Sequence, residues 1–362
     1  MITRGNLYNA IPDLIQSKKP FAIATVTETS RSTPQKPGSS ALFGENGLLD
    51  GTVGGGRVEY DIQKKAAGAL HSGESGYFGF DLDEDLEQDD SVICGGGMHI
   101  LLDVEPQKHL SVFKVLRDAY VNRIPGVLAT VATRPEQSGG FVIDRFWLTA
   151  QDPEKYDEQL GPEGAIEVKK MFDKPVPGGF RSLTGQFTRE SPGVYVFLES
   201  IVPLPELWIA GAGHVGKALA HMGKLLDFEV TVWDDRKEFA NKKNLPDADY
   251  VISGNLKTTF GTMEPGKETF IVIVTRGHHQ DSDVLKAFIG SGAGYIGMIG
   301  SRKKLVRVRE QFIEQGWATP EQWDQIHAPI GLKIHSKTVQ EIAVSIAAQL
   351  VEVRYRLYHA DE

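Results

Sequence analysis

Gly211-Ala212-Gly213-His214-Val215-Gly216 joins an apolar run, LWIAG, to a helical pattern, KALAHMGKLLD. A glycine-rich turn that closes a strand and opens a helix suits phosphate chemistry. In that context Gly211 permits the tight turn, and Gly213 lets main-chain amides approach phosphate oxygens. Gly216 lets the helix pack on the sheet. The helix N-terminus adds unpaired N–H groups and the positive end of the helix dipole. Asp234 and Asp235 end the next strand-like run, EVTVWDD. They stand about 20 residues on, where a carboxylate can accept a bond from a ribose hydroxyl. The plainer alternative is a glycine turn needed only for packing.

Further groups should meet at the same edge. Thr275-Arg276-Gly277-His278 follows FIVIVT, and Gly300-Ser301-Arg302 follows YIGMIG. Both segments are expected at C-terminal ends of parallel strands, where open α/β sheets bind ligands. Arg276 and Arg302 either pair with a phosphate or are loop charges. His278, His279 and Asp281 are too closely spaced, and lack a well-placed third ligand, to suggest a metal site. In the first half, Gly54, Gly55 and Gly56 lie between a strand pattern and a helical one, where a nest of N–H groups can hold an anion. Glu59 could cap that turn or bond a ligand amide. Cys94, beside Gly95, Gly96 and Gly97, is either a small buried hydrophobe or a thiol that a ligand can approach.

The elements that must hold these residues are legible to different degrees. The second half alternates strands with helices, which predicts a doubly wound parallel sheet of Rossmann type. Thr338 with Glu341 forms a capping-box pattern before a final helix, whose Ile342, Ile346, Leu350 and Val353 should face the core. The first half reads as a mixed α/β domain. It has a short helix over 6–17, a strand over 21–30, a hairpin turning at Glu45–Gly47, and a helix after the glycine triplet. The acidic run at 81–90 reads as a solvated loop, and residues 139–190 resist assignment. Pro203 and Pro205 mark a boundary, giving domains over 1–202 and 203–362.

The chain has 362 residues and a formal net charge of −9, which argues against general nucleic-acid binding. No apolar run suits a membrane helix, the N-terminus does not read as a secretory signal, and a lone cysteine fits a reducing compartment. The expected location is the cytoplasm.

The ordered motifs STPQKPGSS, DGTVGGGRVEYDI, ICGGGM, IAGAGHVGKALA, VTVWDDRKEFA, VTRGHHQDSDVL, YIGMIGSRKK, APIGLKI and TVQEIAVSIAAQLVEVR run along most of the chain. With them the chain resembles the XdhC/CoxI family, accessory proteins of xanthine dehydrogenase and related molybdenum hydroxylases. The resemblance implies a protein that binds molybdopterin, in a mononucleotide or dinucleotide form, and protects it during sulfuration. It then delivers the cofactor to an apo molybdenum hydroxylase. It also implies a cysteine desulfurase as a further partner and no catalysis of the protein's own. A homodimer is the default assembly. The gap between the halves is the expected ligand site. The sequence departs from the family at Gln35, where Arg is usual, with Lys36 next; at His335-Ser336, where Gly-Ala is usual; and at Val339, where Pro is usual. Two rivals stay open: an NAD(P)-dependent oxidoreductase, and a redox-sensing regulator that binds NAD. A lone cysteine cannot ligate iron–sulfur clusters, so the chain is not expected to be the catalytic dehydrogenase.

Overall fold

The structure is a computed structural model that describes residues 7–82, 96–135, 139–183, 193–260 and 263–358. Cys94, Gly95 and most of the acidic run lie outside the described residues. The chain divides into two compact units, Met1–Pro203 and Leu204–Glu362.

In the first unit a 3-10 turn (Leu7–Ala10) leads into α1 (Ile11–Gln16), β1 (Phe21–Arg31), β2 (Ser40–Gly44) and β3 (Gly47–Gly51). Then come α2 (Gly56–Ser72), β4 (Gly76–Asp81) and β5 (Gly96–Asp103). These strands form an antiparallel sheet in the order β3-β2-β1-β5-β4. Side chains alternate across a strand. Ala22, Ala24 and Val26 of β1 therefore meet Val58, Ile62 and Ala66 of α2. Ile23 points the other way, into a cluster with Phe113, Leu116 and Leu128.

The rest of the unit is α3 (Leu110–Val121), β6 (Gly126–Thr133), β7 (Val142–Leu148), α4 (Glu154–Asp173), β8 (Phe180–Ser182) and β9 (Val194–Ile201). Its strands make a second antiparallel sheet, β7-β6-β9-β8. The helix α4 covers it through Tyr156, Leu160, Ala165 and Val168. Here the structure supplies what the sequence pattern hid. Gly161, at φ 68°, kinks α4 just before Pro162, which breaks the 3.6-residue period. The strand β4 likewise has no counterpart in the sequence reading. Two polar links are buried in this unit. Arg145 pairs with Asp103, and the Tyr8 hydroxyl donates to Glu199 Oε2 at 2.7 Å. Burial pushes Glu199 up to about 7, against the Tyr8 hydrogen bond and the Arg145 charge, which both favour its ionised form.

The second unit runs β10 (Glu206–Ala210), α5 (His214–Leu225), β11 (Glu229–Asp234), β12 (Tyr250–Ser253), α6 (Leu256–Phe260) and β13 (Thr269–Ile273). It continues with α7 (His278–Phe288), β14 (Tyr295–Met298), α8 (Arg302–Glu314), α9 (Pro320–Asp324) and α10 (Val339–Tyr358). All neighbouring strands are parallel, in the order β12-β11-β10-β13-β14. Chain direction across the sheet reverses at β10, so β10 and β13 flank the switch point at which such sheets bind ligands. This is the Rossmann architecture expected from the alternation. Ile346 and Leu350 of α10 are buried with β10 and β11, and Ile342 and Val353 pack at the edge of that cluster. Its cap forms as a true box: Glu341 N–H donates to Thr338 Oγ1 at 3.2 Å, and Thr338 N–H donates to Glu341 Oε2 at 2.9 Å. No helix among the described residues is long and apolar enough to cross a membrane.

Candidate functional site

The glycine turn after β10 sits where its neighbours force it to be glycine at two positions and leave it free at the third. A Cβ on Gly211 would stand 2.4 Å from the Val274 carbonyl oxygen, and one on Gly216 would stand 1.8 Å from that of Gly211. Packing makes both demands, and at Gly211 a φ of 121° adds a backbone one. Gly213 is different. Its φ of −73° suits any residue, and a Cβ there would meet nothing within 4 Å. Gly213 is also the N-cap of α5, and no side chain caps that helix. The first-turn amides of α5, beginning at the exposed His214, thus open onto clear space.

The acid expected to read a ribose is present but spoken for. Asp234 is 4% exposed. Its Oδ1 accepts from Arg236 N (3.0 Å) and Nε (2.9 Å), and its Oδ2 accepts from Ala212 N (2.9 Å) and Arg236 Nη2 (3.0 Å). Burial would raise this carboxyl, but the hydrogen bonds from Arg236 and the Ala212 amide outweigh it and lower Asp234 to about 2. Asp234 therefore orders the turn and holds an arginine, which corrects the expected hydroxyl-acceptor role. The guanidinium lies 3.8 Å over the Phe239 ring.

Asp235 lies between two cations, its Oδ1 3.9 Å from Arg236 Nε. Its Oδ2 accepts from Arg276 Nη2 at 2.9 Å and from Gln280 Nε2 at 2.8 Å. Because β10 lies between β11 and β13, this bridge spans the end of β10, where the glycine turn begins. Arg276 therefore reaches the expected edge, but its partner is a carboxylate. Thr275 is pinned by Asp281, which is 1% exposed: the hydroxyl donates to Asp281 Oδ1 at 2.6 Å. Asp281 Oδ2 also takes Lys304 Nζ at 2.7 Å, tying the loop after β13 to α8. Gly277 is the N-cap of α7, again without a side-chain cap, and His278 begins that helix. Ser301 instead caps α8, its Oγ accepting from Lys304 N at 3.3 Å, with Gly300 before it and Arg302 exposed in the first turn. Arg236, Gln280 and Lys304 do not stand out from sequence as site residues, and Asp281 does so only as a rejected metal ligand. An arginine two residues after an aspartate, and an aspartate in the first turn after Thr-Arg-Gly, are the available signals.

The glycine triplet of the first unit has a different character. Gly54, Gly55 and Gly56 all have positive φ, at 129°, 68° and 56°. Glu59 reaches back from α2, and its Oε2 accepts from Thr52 Oγ1 at 2.8 Å and from Gly55 N at 3.3 Å. Of the two roles considered for Glu59, the structure shows the cap. Nearby, Gln35 serves its own loop, its Oε1 accepting from Ser39 Oγ at 2.8 Å.

The second unit is thus a Rossmann domain whose central glycine turn leaves the first-turn amides of α5 without a side-chain cap. Two family models extend that reading. One described as the XdhC Rossmann domain matches residues 207–350, and one described as the XdhC and CoxI family matches residues 14–81. The chain belongs to the XdhC and CoxI family. It is 22% identical over 355 residues to a protein of Bacillus subtilis (strain 168) named as a probable subunit of xanthine dehydrogenase, covering 98% of this chain and 99% of that one. It is 31% identical over 154 residues to the uncharacterized protein YqeB of Escherichia coli (strain K12), covering 41% of this chain and 27% of the relative. A solved structure from Bacillus halodurans, described as a xanthine dehydrogenase, shares the fold. Its TM-score is 0.72 at 21% identity, over 98% of both chains.

Proposed function

We propose that this protein is an accessory factor of a xanthine dehydrogenase-type molybdenum hydroxylase. It binds the molybdenum cofactor, molybdopterin, by its phosphate, shields it during sulfuration, and delivers it to the apo-enzyme. A cysteine desulfurase supplies the sulfur. The bound group would bring the metal centre; the chain's own residues grip and orient it. Family membership and the name of the Bacillus subtilis relative support the recipient class. Gly213 is the observation that carries the binding role. The fold makes no demand for glycine there, by φ or by contact, so the empty cradle over uncapped amides fits a phosphate. The first-turn amides of α5 hold the phosphate oxygens, and those of α7, after Thr275-Arg276-Gly277, extend the positive edge.

The test is chemical. Protein purified from a molybdenum-replete host is oxidised with acidic iodine and assayed for pterin fluorescence. The wild type should carry pterin, and Gly213→Val, equally folded, should not. Pterin-free wild type sinks the carrier reading. Equal pterin in both proteins moves the ligand away from this turn.

A further inference from the structure

The fingerprint of a dinucleotide-binding turn includes an acid that accepts from a ribose diol. A carboxylate offers about four lone-pair sites. In Asp234 four N–H groups fill them: Ala212 N and, from Arg236, N, Nε and Nη2. Nothing is left for a hydroxyl. What the end of β11 offers instead is Arg236. Two of the five guanidinium N–H groups are spent on Asp234. The remainder have no hydrogen-bond partner among the described residues, and the side chain is 20% exposed. Arg236 Nη2 and Ala212 N share a single acceptor, Asp234 Oδ2, so the guanidinium stands beside the glycine turn. Phe239 backs its flat face, and Asp234 locks its plane. Such a fork is preorganised for bidentate binding of a phosphate.

A second observation comes from the next strand. Ser253 is paired with Asp234 in the β11–β12 ladder and so points to the same face of the sheet. Its Oγ is buried and has no hydrogen-bond partner among the described residues. A buried hydroxyl without a partner costs free energy unless something else satisfies it. Because the Oγ is shielded, a phosphate oxygen on Arg236 becomes its acceptor only when the Ser253 rotamer turns outward.

We infer that the subsite at the end of β11 selects a phosphate group, read by Arg236 with Ser253 beside it, and rejects a ribose diol. This rests on the reading of the glycine turn as a ligand site and names what its ligand carries next to that turn. That group is a phosphate monoester. Its source is the 2′-phosphate of a dinucleotide, since the pterin's single phosphate is assigned to the α5 amides.

The accessible probes are NADPH and NADH, which differ there only by that phosphate. Binding to the purified full chain is followed by quenching of tryptophan fluorescence, with titration calorimetry as the second readout. NADPH should bind at least about 10-fold tighter than NADH, the scale of a charge-assisted bidentate contact. Equal affinities, tighter NADH, or no binding of either at millimolar concentration overturns the inference. Arg236→Ala removes the reader and frees Asp234, so it should lose NADPH affinity and gain NADH affinity. A merely structural role would weaken both together. Arg236→Lys keeps the charge without the fork and should fall between. An unchanged ratio in Arg236→Ala, with circular dichroism like the wild type, also overturns the inference.

Competition reads whether the two ligands share the turn. Displacement of co-purified pterin by NADPH supports one shared glycine turn, and NADPH binding that leaves pterin in place moves the pterin away from it. The carrier reading is judged separately. Protein that prefers NADPH but holds no pterin keeps this inference and loses that one, and pterin-bearing protein with no NADPH preference does the reverse.

Discussion

The two glycine-rich turns look alike as strings of residues and differ as chemistry. At Gly54–Gly56 the backbone itself requires glycine, since all three φ values are positive, and the chain's own Glu59 occupies the turn. At Gly211–Gly216 packing requires two of the glycines and leaves Gly213 with an ordinary φ, an open cradle and no side-chain cap. The lesson is to ask what would touch an added methyl. Where the answer is the protein, the glycine is structural. Where the answer is nothing and φ is ordinary, as at Gly213, neither contact nor backbone strain asks for glycine.

That contrast can be broken in several ways. Gly216→Ala drives a Cβ into the Gly211 carbonyl and should cost about 3 kcal/mol or more in denaturant unfolding of the second unit. An unaltered midpoint would mean the turn packs otherwise. Gly213→Val, at an N-cap where glycine is favoured over valine, should cost only about 1 kcal/mol. It should lower retention of pterin by roughly two orders of magnitude, because the side chain takes the place of the phosphate.

The two units should also respond to pH in opposite directions. Glu199 binds its proton more tightly folded than unfolded. Stability tied to it is full below about pH 4.5 and falls as pH rises towards 7, by about 2 kcal/mol between pH 5 and 7. Asp234 is lowered, so its contribution is full above about pH 4 and is lost as pH falls through about 2. Urea melts at a series of pH values check both, and Glu199→Gln should flatten the first response. The smallest effect is expected from Glu59→Ala. It removes the acceptor of Gly55 N–H and should cost about 1 kcal/mol in the first unit without changing NADPH binding.

Legibility followed the regularity of the pattern. Five strands alternating with helices declared the second unit, and a capping box declared α10, because those signals are local and repeat. The helix α4 was hidden because Gly161 and Pro162 interrupt its period, although its buried face re-forms beyond the kink. His335, one of the residues at which the sequence was expected to depart from the family it resembles, has a φ of 62°, a backbone conformation that favours glycine.

From residue types and order alone come the Rossmann turn, the strands that carry it, the family, and the position of Asp234 at a strand end. These depend on short-range geometry, which a chain of given composition cannot easily escape. The sequence leaves open which donors a carboxylate has already accepted. Arg236 closes on Asp234, Asp235 on Arg276, Glu59 on Gly55, and Ser253 on no described residue, and only the folded chain decides this. Hydrogen-bond partnership is a competition among groups brought together in space, and its outcome turns an expected diol acceptor into the anchor of a cationic fork.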